Sequence, residues 1–473
     1  MRVIADLHIH SRFARACSKE LNLPNLDKWA KIKGVQILGT GDCFHPAWRK
    51  ELREGLQEAE QGLYVRKPSF AKATEDRQEA GSSEQPHNRH FEPQREIPQV
   101  PGEISRQARD DDGTRFMLTT EVASIYKQGD KVRRIHFLIF APSFESIEGM
   151  VAELEKLGCN LKSDGRPIIG VHSQELLKIV LASGGVLIPA HAWTPWFAIF
   201  GSKSGFDSIE ECFGDLSNEI FAIETGLSSD PMMNWRVSAI DQLALISNSD
   251  AHSLPNLARE ANELELVSLS YDQIIEAIKN GAPARRQAMG KEELSRRSHI
   301  NSTIEFYPEE GIYHYDGHRA CDIRWTPQET KRRGGVCPKC GLKVTIGVMY
   351  RVDQLADRED TVPPAGAPLY HRLVELDKII AEAMNISSRA SKKVQAEYSN
   401  IIEKVGSELD ILMHLPLKTI AQWANPRIVE GIRRVRAEQL TISPGYDGTY
   451  GRVEIFTKEE KEGAKSKGQT VLL

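Results

Sequence analysis

Two histidines set two residues apart, His8 and His10, stand near the start of the chain, and Asp250 and His252 repeat that spacing far downstream. Alternate residues of a strand point to one face, so each pair offers two donors to the same side and can hold one ion or two neighbouring ones. Thr40-Gly-Asp42, Glu121, His136, His191 and Glu224 stand beside further short apolar runs. A solitary His-x-His is weak ground for a metal site, because a histidine near a core is commonly just a satisfied polar group. Two such pairs, with carboxylates and imidazoles at other strand termini, reverse that reading. The mixture suits Zn, Mn or Fe better than Mg or Ca and leaves metal identity open, Mg included. Two or three clustered divalent ions bring the pKa of a water toward neutrality and hold the attacking and leaving oxygens of a phosphate ester. Metal-dependent phosphoester hydrolysis is the reaction class this donor set serves.

A second constellation is His318-x2-Cys321, fifteen residues, then Cys337-Pro-Lys-Cys340-Gly341. The two pairs have the spacing of a structural zinc site, and glycine after the second thiol allows the tight turn in which backbone amides face sulfur. His314 competes with His318 as fourth ligand. Four protein ligands leave no open position, so one structural zinc is expected here.

The elements that must position these residues alternate. Apolar runs at 3–10, 35–39, 116–120, 135–140, 185–190, 220–223 and 243–246 are separated by helical patterns such as 26–32, 146–157, 174–181 and 271–280. This alternation predicts an α/β domain of parallel strands with helical crossovers, as a barrel or a doubly wound sheet. Nearly every polar cluster sits at a strand's C-terminal end, where α/β barrels keep their sites. His136 is the exception, at a strand start, and has to reach from the opposite end or from a bulge.

With 473 residues, two or three domains are expected. Residues 1–300 read as the hydrolase domain, 301–365 as the zinc-binding module, 366–457 as a mainly helical C-terminal domain, and 458–473 as a flexible tail. Residues 66–115 have few aliphatics and read as a disordered insertion, with His87 and His90 solvated. The formal net charge of −5 gives no overall attraction to a polyanion, so nucleic-acid binding requires a local basic patch. Seven cysteines are an odd number for a disulfide framework. No signal peptide and no membrane-spanning apolar run is expected, and the compartment reads as the cytoplasm.

The motifs Asp6-Leu-His8-Ile-His10-Ser11, Gly39-Thr-Gly-Asp42-Cys-Phe-His45 and Ser249-Asp250-Ala-His252 resemble those of the PHP (polymerase and histidinol phosphatase) superfamily. The resemblance implies a distorted (β/α)7 barrel with two or three divalent metals. It gives His8, His10, His45, Glu121, His136, His191, Asp250 and His252 as ligands, Glu121 as a bridging carboxylate, and His8, Asp42 and Asp250 as catalytic. Cys43 and Phe44 separate Asp42 from His45, whereas most members place the two side by side. A barrel of this kind followed by the zinc module and a helical region is similar to the endonuclease Q family, through Tyr313-His-Tyr-Asp-Gly-His318, Cys337 to Cys340 with Thr345-Ile-Gly-Val, and Arg351-Val-x-x-Leu-Ala-Asp357.

That similarity implies a DNA repair endonuclease cutting 5′ of a deaminated base (uracil, hypoxanthine or xanthine). The base would be extruded into a pocket between barrel and zinc module. Trp193 and Trp196 are candidates for stacking on a base or wedging into a duplex. On the helical pattern 426–439, Ile428, Ile432 and Val435 form an apolar stripe, leaving Arg433, Arg434 and Arg436 to point elsewhere, toward phosphates or solvent. The last residues, Gln469 to Leu473, resemble the short peptide with which bacterial repair proteins grip the sliding clamp. The competing functions are a histidinol-phosphatase-like phosphomonoesterase and a non-catalytic DNA-binding scaffold.

Overall fold

The computed structural model describes residues 1–68, 113–358 and 362–462. Most of the expected insertion and the terminal Gln469–Leu473 peptide lie outside the described residues. The N-terminal half is built on β1 (Arg2–Asp6), β2 (Ile37–Gly39), β3 (Leu56–Glu60), β4 (Leu63–Arg66), β5 (Arg115–Gln128) and β6 (Lys131–Ala141). It continues through β7 (Ile168–Ile169), β8 (Val186–Pro189), β9 (Ala222–Glu224), β10 (Ala244–Ile246), β11 (Ala261–Glu265) and β12 (His299–Glu305). Beyond these come β13 (Asp316–His318), β14 (Ile323–Trp325), β15 (Leu369–Arg372), β16 (Thr441–Ser443) and β17 (Arg452–Glu454).

A central mixed sheet dominates, in the order β15-β12-β11-β1-β2-β5-β4-β3, with β6 pairing β5 and β8. The expected parallel arrangement holds for β1 with β2, β2 with β5, and β9 with β10. It fails for β5 with β6, because only Gly129 and Asp130 join them, and so short a link can connect only antiparallel strands. β6 is also antiparallel to β8, so its N-terminal part lies where β8 finishes. His136 therefore reaches the same end as the other site residues without a bulge. Past the regular ladders, Ala192 N–H donates to the Glu224 carbonyl at 2.9 Å, and Ile9 pairs with Ala251. Hydrogen bonds thus run from the end of β8 to β9 and from the end of β10 back to β1.

Strand periodicity decides which side chains enter the interior. On β1 and its extension, Val3, Ala5 and Leu7 pack into one apolar cluster with Ile188, Ala222 and Ile246, which leaves His8 and His10 on the other face. Helices cover the outside. The helix Leu23–Lys33 starts where the Asn22 side chain accepts from Asn25 N–H, buries Leu26, Trp29 and Ala30, and stops at Gly34, whose φ of 89° needs no Cβ.

β13 and β14 form a hairpin beside the cysteine pairs. Helices at Leu376–Ala383, Lys392–Val405 and Pro426–Arg436 follow. Three strands accompany this helical region: β15 joins the central sheet alongside β12, and β16 and β17 form a hairpin. No helix among the described residues is long and apolar enough to cross a membrane.

Candidate metal centre

Five elements deliver the donors. His8 and His10 follow β1, Glu121 lies within β5, His136 on β6, His191 follows β8, and Asp250 lies on the turn after β10. One ligand atom from each of His8, His10, Glu121 and Asp250 falls within 4.8 Å of the others, and so does a second set from Glu121, His136 and His191. The two sets share Glu121. Its Oε2 lies 3.2 Å from His10 Nε2, while its Oε1 lies 2.6 Å from His136 Nδ1 and 3.1 Å from His191 Nε2. Asp250 Oδ1 stands 3.1 Å from His10 Nε2 and 3.5 Å from His8 Nε2.

The histidines are held from behind. His8 Nδ1 donates to Glu224 at 3.0 Å and His10 Nδ1 to Asp42 at 2.9 Å, so that in the neutral rings each Nε2 lone pair faces the centre. Glu224 also accepts from Asn248 and from His191 N–H, and Asp42 from the backbone and hydroxyl of Ser11. Asp6 receives Ser249 N–H and Ala258 N–H and so anchors the turn that carries Asp250. Asp42, His191 and Asp250 have φ of 48°, 30° and 45°, left-handed conformations that a side chain adopts at a cost, repaid here by the contacts around them.

Burial opposes charge on His8 and His10, yet Glu224 and Asp250 around the first and Asp42 and Asp250 around the second raise both well above the ordinary histidine range. Burial also works against a charged Glu121, but His136, His10 and His191 hold it well below the usual carboxylate range. Burial lowers His136 to about 4, with Glu121 opposing. His8 Nε2, His10 Nε2 and Asp250 Oδ1 are buried without a hydrogen-bond partner. An unsatisfied buried polar atom costs about 1–3 kcal/mol, so three converging on one point fit a bound cation. Imidazole and carboxylate donors, backed by carboxylates, suit a divalent metal, and two such ions would share Glu121.

Other expected site residues lie elsewhere. Asp42 stands behind His10 rather than in either donor set. His45 caps the helix Pro46–Gly55 and stacks on Phe13 at 4.7 Å, also outside both sets. His252 packs its ring 4.6 Å from that of His10, with Nδ1 2.8 Å from the Asp250 carbonyl, and belongs to neither set. Arg166, which no motif signals, reaches the centre: its guanidinium donates to Glu121 Oε2 at 3.1 Å. The preceding Gly165 is pressed against Asp42 and Ala14 so closely that a Cβ would collide with both.

In the second constellation the donor atoms of His318, Cys321, Cys337 and Cys340 also fall within 4.8 Å of one another. Burial alone would raise the Cys337 thiol, but the amides of Lys339 and Cys340 bring it down to about 6, as the glycine-ended turn implies. Gly341, at φ 75°, closes that turn with a bond from its N–H to the Cys337 carbonyl. His314 lies outside the set and is buried elsewhere.

A pocket of about 270 Å³ opens where the loop at 194–196 meets residues 308–314, with Trp196, Tyr313 and His314 in its walls. His191 Nδ1 and Thr194 Oγ1, 3.2 Å apart, link it to the donor centre. Trp196 is 39 % exposed and meets Tyr313 edge-on at 5.7 Å. Trp193 is 1 % exposed and its indole N–H donates to Asn234, so it packs in the core and cannot stack on a base. The arginines of helix 426–436 need a similar correction. Arg433 and Arg434 both bind Glu430, Arg434 also binds Glu460, and Arg436 donates to the carbonyls of Ile411, Leu412 and Leu415. Their apolar stripe is buried as expected, but the guanidinium groups are spent within the chain rather than free for phosphates.

Residues 375–439 match the family model of the MJ0043 C-terminal domain. The chain is 28% identical over 272 residues to the uncharacterized protein MJ0043 of Methanocaldococcus jannaschii, a match covering 56% of this chain and 31% of that protein. It is 26% identical over 466 residues to the uncharacterized protein YqxK of Bacillus subtilis, covering 96% of this chain and 99% of that one. Among solved structures, the lesion-specific endonuclease PfuEndoQ from Pyrococcus furiosus is similar over 100% of both chains, with 27% identity and a TM-score of 0.76. An endonuclease Q complexed with a 27-mer duplex carrying an abasic lesion at its active site gives 28% identity and a TM-score of 0.75 over 98% of both chains. Along nearly its whole length the chain is similar in sequence and fold to endonuclease Q, as its motifs imply.

Proposed function

We propose that this chain is a metal-dependent DNA repair endonuclease that hydrolyses the phosphodiester on the 5′ side of a deaminated base. The observation that carries the reading is the sharing of Glu121 between the His8/His10/Asp250 set and the His136/His191 set. A carboxylate bridging two donor groups suits hydrolysis of a phosphodiester, where charge develops on both the attacking and the leaving oxygen. Divalent ions bound here would activate a water and stabilise the leaving 3′ oxygen.

The chain's own residues do the rest. Glu224 and Asp42 hold the His8 and His10 rings in the tautomer that donates backward and leaves Nε2 free. Arg166, 30 % exposed at the centre's mouth, would orient the scissile phosphate by charge-assisted hydrogen bonds. The pocket walled by Trp196 and Tyr313 would receive the extruded base, whose weak pairing at a damaged site lowers the cost of extrusion. We read the hydrogen bonds joining β8 to β9 and β10 to β1 as closing a distorted seven-stranded barrel, with His318, Cys321, Cys337 and Cys340 as a structural zinc site beside it.

The test is a nicking assay on labelled duplexes carrying one uracil, hypoxanthine or xanthine, with Mn, Mg or Zn added. Metal-dependent incision just 5′ of the lesion, lost in Asp250→Asn, is expected. Intact duplexes together with turnover of a small phosphate monoester would transfer the site to a phosphomonoesterase.

A further inference from the structure

Trp196 borders not only the lesion-side pocket but also a wider cleft of about 550 Å³. One wall is the start of β6, residues 131–134, and the other is the loop 201–207. Five cations line it, Lys131, Arg133, Arg134, Lys203 and Arg351, against a single carboxylate, Asp207.

These cations fall into two classes. Arg133 is spent on Glu211 and on the Phe206 ring, 3.8 Å away, and Arg351 on Asp207 and the carbonyls of Phe200 and Phe206. Arg133 fastens the loop to β6, and Arg351 fastens it to the helix Val348–Leu355. Lys131, Arg134 and Lys203 are exposed, and their side chains have no hydrogen bond or ion pair among the described residues. Asp207, the one acid in the wall, is already bound by Arg351. The arrangement is local, and it meets an exposed indole at the rim of the pocket.

We infer that Lys131, Arg134 and Lys203 form a phosphate track, along which the DNA strand leaving the pocket is held. The inference rests on the DNA-directed reading above and adds to it where the backbone lies. Unpaired cations along a cleft neutralise successive phosphates without reading sequence, whereas Trp196 offers a π-face to a base at the turn between cleft and pocket. The arginines of helix 426–436 already have partners within the chain.

The experiment compares the full chain with a Lys131→Glu/Arg134→Glu/Lys203→Glu variant, using a fluorescent duplex with one uracil. Binding is read by anisotropy across roughly 50–200 mM salt, and nicking is read separately as kcat and KM. Each phosphate contact contributes about 0.9 to the slope of log affinity against log salt, so a slope shallower by about 2–3 is expected, with affinity lower by about tenfold or more. KM should rise while kcat changes little. Unchanged affinity and slope would overturn the track. Duplex binding by the wild type without nicking, weakened in the variant, would remove the endonuclease reading and keep the track; absence of wild-type binding would remove the track. Should the charge-reversed protein melt early, the Lys131→Gln/Arg134→Gln/Lys203→Gln variant gives the same readout at smaller amplitude.

Discussion

Glu224 and His8 lie 216 residues apart in sequence, yet their side chains meet at 3.0 Å in a fully buried contact. The carboxylate accepts a hydrogen bond from Nδ1–H and so decides which ring nitrogen is left for a metal. Glu224→Gln keeps the shape but presents an amide that no longer enforces the tautomer. The expected result is a loss of about 10–100-fold in metal affinity and cleavage, with little change in melting temperature of the metal-free protein. Calorimetric titration with Mn or Zn measures it, and unchanged affinity would remove Glu224 from the positioning role.

Gly165 offers a steric test of the same centre. A methyl group at this position collides with the Asp42 carboxylate and the Ala14 backbone, so Gly165→Ala must displace either Asp42 from His10 or the loop that carries Arg166. Cleavage should fall by at least about tenfold while the protein stays folded, since the loop that has to move belongs to no helix or strand. A fully active Gly165→Ala protein would show that the loop does not contribute to the site.

Stability should depend on pH through a buried pair outside the donor sets. Burial raises Glu305 to about 8, and burial together with Glu305 raises Glu260 well above the carboxylate range. A carboxyl with a raised folded value contributes stability that is complete below its unfolded value of about 4.5 and is lost as pH rises through the folded value. The window is therefore pH 4.5 to about 8 for Glu305. In Glu305→Gln the amide oxygen can still accept from Thr225 and Ser247, and the Glu305 charge no longer acts on Glu260. Melting should rise by on the order of 2–4 °C at pH 8 and stay nearly unchanged at pH 5. An equal shift at both values would contradict the assignment.

The cysteine set predicts a metal count. Cys337→Ser removes the sulfur that faces the amides of Lys339 and Cys340 and should lower bound zinc by about one ion per chain, measured by colorimetric release. Hydrolysis of a small activated phosphodiester at the Glu121 centre should survive better than nicking of duplex DNA, because the module borders the pocket rather than the donors. Equal zinc content in the wild type and in Cys337→Ser would leave the four residues without a metal role.

Much of the donor centre was legible in the sequence because its donor residues carry local signals. His8, His10, His191 and Asp250 follow strand ends, where apolar runs stop, and His8 and His10 keep the strand period, whereas Glu121 and His136 lie inside β5 and β6. The thiol turn was equally readable, since Cys337 to Gly341 makes its own geometry. His136 misled only in direction: the two-residue link between β5 and β6 forces an antiparallel pair, and that reversal brings His136, inside β6, to the site.

What the sequence by itself determined is which residue types stand at strand ends and in the metal-ligand turns, because short-range periodicity and turn chemistry act over a few residues. Tertiary structure alone decided which of these converge. It put Glu224 behind His8, Asp42 behind His10, Arg166 onto Glu121 and Trp193 into the core, and it left His45 and His252 outside both donor sets. It also decided which cations are available, since Arg433, Arg434 and Arg436 meet acids and carbonyls brought in by folding while Lys131, Arg134 and Lys203 have no hydrogen bond or ion pair among the described residues. Charge availability depends on partners distant in sequence, and only the packed chain sets those distances.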